Sequence, residues 1–206
     1  FLSVADDGCG MDADELVLAV ERHATSKLPD DDLTHIATLG FRGEALPSIG
    51  AVSRLTLTSR PRTADSAWTL TVEGGLKIGP KPAAQPPGTR IEVRDLFFAT
   101  PARLKFLKAE RTEFGHVLET LQRLAMAHPE VGFTLSDGSR KALALAAENG
   151  DLFESRLGRL AAIMGRDFAE NALAVEAERE GIRLTGHVGL PTLNRSTAAM
   201  QFLFVN

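Results

Sequence analysis

The chain has 206 residues, with 23 Lys and Arg against 27 Asp and Glu, and carries a net charge of −4. Hydrophobic residues make up 44% and charged residues 24%, which argues for a globular chain and against disorder. The acidic balance excludes a chain that is basic throughout, as many nucleic-acid binders are. A single cysteine, Cys9, excludes an internal disulfide framework and a cysteine-rich zinc site.

The two ends of the chain both read as strands, over residues 1–5 and 200–206. Strands left unfinished at both ends are unusual in a whole domain, and we therefore expect a fragment of a longer protein. No apolar run approaches the roughly 18 residues of a membrane helix, and no signal peptide precedes the first strand. These features predict a cytoplasmic location.

The first third of the chain alternates glycine turns with helix starts. Asp6 to Gly10 is a turn, and Asp12 followed by Glu15 predicts a helix with a capping box. Helical periodicity places Leu16, Ala19, Val20 and His23 on one face of that helix. Residues 25–38 are polar and predict a loop, and a second glycine turn leads into a short helix near Glu44.

The rest of the chain mixes strands and helices, with a predicted boundary at residues 148–150. Alternating or β-rich patterns predict strands at 51–59, 68–72, 77–78, 89–93, 133–135, 142–146, 172–176 and 182–188. Residues 80–88 predict a proline-rich loop, whereas Thr100 and Pro101 predict a helix start. Further helices are expected over 114–125 and 152–164. The mixture indicates an α/β or α+β fold.

Four residues suggest a pocket for a purine ring: Asp6, Gly8, Gly10 and Thr89. A carboxylate at a strand end can accept a hydrogen bond from an exocyclic amine, and glycines let a flat ring approach the backbone. A threonine hydroxyl beside the carboxylate would complete the pocket. The alternatives are an ordinary strand-to-helix turn and the β-propensity of threonine.

A second cluster suggests phosphate binding just before a helix start: Gly40, Phe41, Arg42, Gly43, Glu44, Ala45 and Leu46. Backbone N–H groups and the positive end of the helix dipole would meet the anion there. The loop residues Thr25, Ser26 and Lys27 could close over a nucleotide, with Lys27 meeting the phosphates. The alternatives are a normal helix N-terminus and a solvated loop lysine.

These segments, in this order and spacing, resemble the N-terminal ATPase region of the MutL family of DNA mismatch repair proteins. The resemblance is carried by residues 6–11, 22–27, 39–46, 53–55, 88–89, 95–97, 100–103 and 105–107. It is densest over residues 1–126. The Asp-Gly turn is shared with gyrase B subunits, heat-shock chaperones and histidine kinases, whereas the run over residues 40–46 is specific to MutL.

The resemblance implies an α+β chain with two domains. Residues 1–149 would form an α/β sandwich of the gyrase–kinase–MutL ATPase type, and residues 150–206 an incomplete domain like ribosomal protein S5. ATP and Mg²⁺ would be the cofactors. The residues expected to contact the nucleotide are Asp6, Gly8, Gly10, Thr25, Ser26, Lys27, Thr89 and residues 40–46. ATP binding and hydrolysis would control dimerisation and would couple mismatch recognition to strand incision and excision.

The resemblance also predicts partners. The parent protein would bind DNA with little sequence preference, and would meet the mismatch-recognition protein and a nicking endonuclease or helicase. It would be a homodimer, whereas the fragment would be a monomer.

No catalytic residue is predicted within the chain, because the family's general-base glutamate and magnesium-binding asparagine precede the Asp-Gly turn. The fragment is therefore expected to be inactive alone, and no metal ligand is predicted among its residues. One alternative is a non-catalytic nucleotide-binding module of the same fold. A topoisomerase subunit or kinase is disfavoured by residues 39–46.

Overall fold

The computed structural model describes residues 1–25, 39–40, 42–193 and 200–205. The chain divides into two compact units, Phe1–Leu107 and Lys108–Asn206. Both units mix helices and strands, which confirms the predicted α+β class. Within the described residues no helix has the length and apolar character needed to cross a membrane.

The first unit contains one five-stranded antiparallel sheet in the order β1-β5-β2-β3-β4. The strands are β1 (Leu2–Asp6), β2 (Arg54–Arg60), β3 (Ala67–Glu73), β4 (Leu76–Ala83) and β5 (Gly88–Arg94). Two helices, α1 (Ala13–Ala19) and α2 (Ala45–Val52), pack against one side of this sheet. A short 3-10 helix, Pro101–Phe106, follows β5.

The hydrophobic core of the first unit lies between the helices and the sheet. Its buried members alternate along the strands, as expected for a sheet with one covered face. They are Leu16, Val20, Leu55, Leu57, Leu70 and Val72. The predicted capping box starts α1: Asp12 accepts hydrogen bonds from the Asp14 and Glu15 amides, and Glu15 accepts one from the Asp12 amide.

Several predicted boundaries in the first unit are wrong. The strand predicted from residue 51 begins at Arg54, because α2 continues to Val52 and its Gly50 packs against Val72. The first half of the proline-rich loop predicted at 80–88, residues 80–83, belongs to strand β4, where proline is tolerated because β4 is an edge strand. His23 does not extend the face of α1, which ends at Ala19, and its side chain is 76% exposed.

The helix start predicted at Thr100 and Pro101 is confirmed, although the element is the 3-10 helix and not an α-helix. The Thr100 side chain makes no capping hydrogen bond, and its buried hydroxyl has no partner among the described residues. Residues 200–205 do not form the predicted strand. The loop predicted over 25–38 lies almost entirely outside the described residues.

The described residues of the second unit form three helices and two hairpins. The helices are α3 (Glu110–Ala127), α4 (Leu152–Met164) and α5 (Arg166–Glu170). One hairpin joins β6 (Phe133–Ser136) to β7 (Lys141–Leu145), and the other joins β8 (Ala172–Arg179) to β9 (Ile182–Gly189). These elements confirm the predicted 133–146 hairpin, the helix at 152–164 and the strands that follow.

A fully buried arginine, Arg159 on α4, holds several segments of this unit together. Its guanidinium donates to the carbonyls of Ala125 at the end of α3 and of Ala146 after β7, at 3.2 and 2.6 Å. It also donates to Pro129 and Val131 in the intervening loop, at 2.7 and 2.9 Å. These four hydrogen bonds join residues 125–146 to α4. Residues 125–146 therefore belong to the same compact unit as α4, the unit that begins at Lys108. The predicted boundary near residue 150 remains a prediction about domains.

Replacing Arg159 by methionine tests this role. Methionine fills similar volume but removes a donor from all four carbonyls, of which that of Pro129 still accepts from the Glu148 amide at 2.9 Å. Each buried polar group left unsatisfied costs about 1–3 kcal/mol. We expect the second unit to lose at least about 3 kcal/mol of unfolding free energy, measured by urea denaturation followed by circular dichroism. The control is Arg179→Met, because the Arg179 side chain is 89% exposed. Equal losses in the two variants would show that Arg159 does not support this unit.

Candidate nucleotide-binding site

The predicted adenine residues meet at one end of the sheet. Asp6 is the last residue of β1 and stands opposite Thr89 of β5, which in turn stands opposite Ser59 of β2. Residues directly opposite each other in antiparallel strands share a face of the sheet. The three side chains therefore form one polar row, on the face that α1 and α2 cover, next to the apolar row of Leu57 and Ile91.

The carboxylate of Asp6 is oriented by two backbone amides. Its Oδ1 accepts hydrogen bonds from Gly8 N at 2.9 Å and from Thr89 N at 3.3 Å. Among the described residues no hydrogen bond to Oδ2 is found, and Asp6 is exposed. One oxygen thus fixes the carboxylate while the other stays available to a donor such as an exocyclic amine.

Glycine is required where the turn approaches the sheet. A Cβ on Gly10 would lie 2.0 Å from the Arg60 carbonyl oxygen, and one on Gly88 would lie 2.0 Å from the Asp6 carbonyl oxygen. Both glycines have positive φ angles, of 73° and 117°. The turn at Gly10 therefore lies directly against the end of β2, and the start of β5 at Gly88 lies directly against the end of β1.

A buried serine that the sequence reasoning missed, Ser59, connects these parts. Its Oγ accepts from Met11 N at 2.8 Å, donates to the Gly88 carbonyl at 3.1 Å and lies 2.9 Å from Thr89 Oγ1. Ser59 is fully buried and Thr89 is 8% exposed. One signal was present in the sequence: strand alternation places residue 59 on the face of Leu55 and Leu57, where a polar residue needs partners.

Arg62 supports the same turn from outside. It donates to the Asp7 carbonyl at 2.6 Å and to the Gly8 carbonyl at 3.3 Å. Two charge-assisted bonds to successive carbonyls hold the peptide planes of the turn in place. The turn is thus fixed by Ser59 on its buried side and by Arg62 on its exposed side.

The predicted phosphate segment forms a second group around the start of α2. Gly43 has a φ angle of 60°, and a Cβ there would lie 2.3 Å from the Ala24 carbonyl oxygen. Its own carbonyl accepts a hydrogen bond from His23 N at 3.2 Å. These contacts bring residues 23–24, which lead into the predicted lid, against the turn that precedes α2.

The N-terminus of α2 starts at Ala45 and is not capped by the side chain of Glu44. The Glu44 carboxylate instead lies 3.3 Å from Nδ1 of His23, and both side chains are exposed. The amides of Ala45 and Leu46 are therefore not capped by that carboxylate, whereas Pro47, the third residue of α2, has no N–H. Uncapped amides at a helix start can bind an anion. Leu46 is half-buried against the core and anchors this turn of the helix.

Other predicted site residues are placed as follows. Gly40 is exposed with a φ angle of 79°, Arg42 is exposed, and Thr25 is half-buried. Ser26, Lys27 and Phe41 lie outside the described residues. Within the described part of the chain, no group of three or more His, Cys, Asp and Glu side chains is arranged to hold a metal ion.

Known proteins match this chain along its whole length. It is 67% identical over 205 residues to the DNA mismatch repair protein MutL of Paramagnetospirillum magneticum, covering 100% of this chain and 34% of that protein. It is 69% identical over 203 residues to MutL of Rhodospirillum rubrum, covering 98% and 32%. The chain thus spans about a third of the length of these curated relatives. The family profile described as DNA mismatch repair protein, C-terminal domain, matches residues 160–206.

Solved structures agree with these relatives. The Aquifex aeolicus MutL ATPase domain complexed with ADP is 31% identical, with a TM-score of 0.69, over 91% of this chain and 63% of that one. The N-terminal domain of a DNA repair protein has a TM-score of 0.73 over 97% of this chain and 63% of that one. At 21% identity it supports the fold alone. The predicted ATPase-type α/β sandwich is confirmed.

Gly10→Ala tests the close approach of the turn to β2. Gly75→Ala is the matched control, because Gly75 also has a positive φ angle, of 91°, but a Cβ there meets nothing within 4 Å. The control should lose about 1–2 kcal/mol for its left-handed backbone. Gly10→Ala should lose about 2 kcal/mol or more beyond that, because its methyl group overlaps the Arg60 carbonyl.

The measurement is chemical denaturation followed by the fluorescence of Trp68, the single tryptophan, which lies on β3 of the same sheet. A Gly10→Ala variant as stable as Gly75→Ala would contradict the close approach.

Proposed function

Because this chain belongs to the MutL family of DNA mismatch repair proteins, we propose that its first unit binds ATP, with the adenine at Asp6. The observation that carries this proposal is the Asp6 carboxylate itself. One oxygen is held by the amides of Gly8 and Thr89, and the other is left for the adenine amine. The match to a MutL ATPase domain complexed with ADP supports the same assignment.

The phosphates would lie at the start of α2. Its first amides and the backbone of residues 40–43 offer N–H donors, and Arg42 adds a positive charge. Lys27, Thr25 and Ser26 would belong to the lid over the phosphates. Mg²⁺ is usually held by only one or two carboxylates together with phosphate oxygens and water. We assign no Mg²⁺ ligand within residues 1–206, because the family resemblance places the magnesium-binding asparagine before the Asp-Gly turn.

The reaction proposed for the whole protein is hydrolysis of the γ-phosphate by water, which would control dimerisation. Through that switch the protein would couple mismatch recognition to strand incision and excision. The partners are those of mismatch repair: DNA, the mismatch-recognition protein, and a nicking endonuclease or helicase. The proposed location is the bacterial cytoplasm.

Glu44 is not the proposed general base, although it stands beside the phosphate segment. It is exposed, pairs with His23 and lies at a helix start, where a carboxylate is stabilised by the dipole. We therefore expect Glu44→Gln in the full-length protein to retain ATP turnover within a few-fold. Loss of turnover with unchanged ATP affinity would instead identify Glu44 as the base.

The second candidate is a nucleotide-binding module without hydrolysis, which we propose for residues 1–206 taken alone. Steady-state phosphate release from residues 1–206 and from the full-length protein separates the two. We expect turnover only in the full-length protein, with ADP binding by both. Absence of turnover in both, with binding retained, would favour the non-catalytic module.

Asp6→Asn tests the adenine assignment most sharply. The amide keeps one oxygen for the Gly8 and Thr89 amides, so the turn should stay folded, but it presents an N–H to the adenine amine. Since hydrogen bonds to charged groups contribute about 1.5–3 kcal/mol, ADP affinity should fall about 10- to 100-fold in calorimetric titration.

The control is Asp65→Asn, which removes the same charge from an exposed carboxylate in the β2–β3 connection. It should bind ADP as the wild type does. An Asp6→Asn variant with wild-type affinity would overturn the adenine assignment.

A further inference from the structure

We infer that Ser59 is a positioning residue for base recognition, which acts by setting the direction of the Thr89 hydroxyl. The inference rests on the proposed nucleotide site. Ser59 itself does not touch the base. It causes the neighbouring Thr89 hydroxyl to accept a hydrogen bond from the ligand.

The direction of each hydrogen bond around Ser59 follows from the partners. Ser59 Oγ has one proton and two lone pairs. Met11 N, at 2.8 Å, can only donate, whereas the Gly88 carbonyl, at 3.1 Å, can only accept. The serine proton is therefore directed to Gly88.

The third contact is then determined. Thr89 Oγ1 lies 2.9 Å from Ser59 Oγ, and the serine has no second proton to give. The threonine proton must point to Ser59, which leaves only lone pairs on Thr89 Oγ1 for any other neighbour. If the serine proton turned to Thr89, the Gly88 carbonyl would keep only the longer hydrogen bond from Gln85 Nε2, at 3.4 Å, and burial of both hydroxyls makes that exchange unfavourable.

The result is a pair of acceptors side by side. Thr89 stands directly opposite Asp6, and its own amide donates to Asp6 Oδ1. The carboxylate and the Thr89 hydroxyl therefore both present lone pairs to a ligand at this end of the sheet. Such a site suits a purine with a 6-amino group, which donates, and rejects a 6-oxo purine, which presents an acceptor at the same place.

The test compares ADP with inosine diphosphate, in which a 6-oxo group replaces the 6-amino group and N1 carries a proton, by calorimetric titration of the full-length protein. We expect the wild type to prefer ADP. In Ser59→Ala the Thr89 hydroxyl is released and can turn to donate. ADP affinity should fall about five- to tenfold, while inosine diphosphate binds as well as before or better, so that the preference narrows.

Three further variants separate positioning from stability. Thr69→Val deletes a hydroxyl from the neighbouring strand β3, where Thr69 pairs with Thr58 at 3.1 Å on the other face of the sheet. It should lower stability and leave the base preference unchanged. Ser59→Thr retains the hydroxyl and should restore the preference. If Ser59→Ala does not fold, Ser59→Cys keeps the volume with a weak thiol donor and acceptor and should narrow the preference in the same way.

A double-mutant comparison identifies the route. If Ser59 acts through Thr89, Ser59→Ala in a Thr89→Val background should cause no further loss of ADP affinity. An unchanged ADP preference in Ser59→Ala, or fully additive losses in the double mutant, would overturn the inference. A wild type that binds neither nucleotide would instead overturn the proposed function on which it rests.

Discussion

The site depends on two close backbone contacts, one between the turn at Gly10 and the end of β2, and one between the start of β5 and the end of β1. Gly10 rests against the Arg60 carbonyl and Gly88 against the Asp6 carbonyl, at distances that leave no room for a side chain. The strands, the turn and α1 are consequently fixed relative to each other before any ligand binds. This pre-organisation spares the cost of ordering the pocket, and the second contact also keeps the strand end that carries Asp6 against the start of β5.

That contact also brings polar groups together in a buried place, where each must find a partner. Ser59, Thr89 and the carbonyl of Gly88 satisfy one another on the covered side, and Asp6 faces outward with one oxygen already held. The three residues of this row lie on three neighbouring strands. Their solvent exposure increases from Ser59, which is fully buried, to Asp6, which is exposed. Recognition and folding share the same hydrogen bonds here, and changes in the row affect both.

The sequence alone was enough to predict candidate residues that belong to a short local motif. Asp6, Gly10 and Gly43 stand in turns where glycine and aspartate spacing has a direct physical reason, and the capping box of Asp12 and Glu15 is equally local. Ser59 escaped because its partners, Met11 and Thr89, are 48 and 30 residues away. Arg159 escaped for the same reason, since its four carbonyl acceptors come from separate segments. The start of β2 was misplaced because alternation over residues 51–53 cannot be told from the end of a helix until Gly50 meets Val72.

The most direct test of the central claim is a crystal structure of the full-length protein, or of its N-terminal region, with ADP bound. The account predicts the adenine amine within about 2.7–3.2 Å of Asp6 Oδ2, with Oδ1 still accepting from the Gly8 and Thr89 amides. An adenine seated away from the β1–β5 end of the sheet, with Asp6 facing solvent, would contradict it.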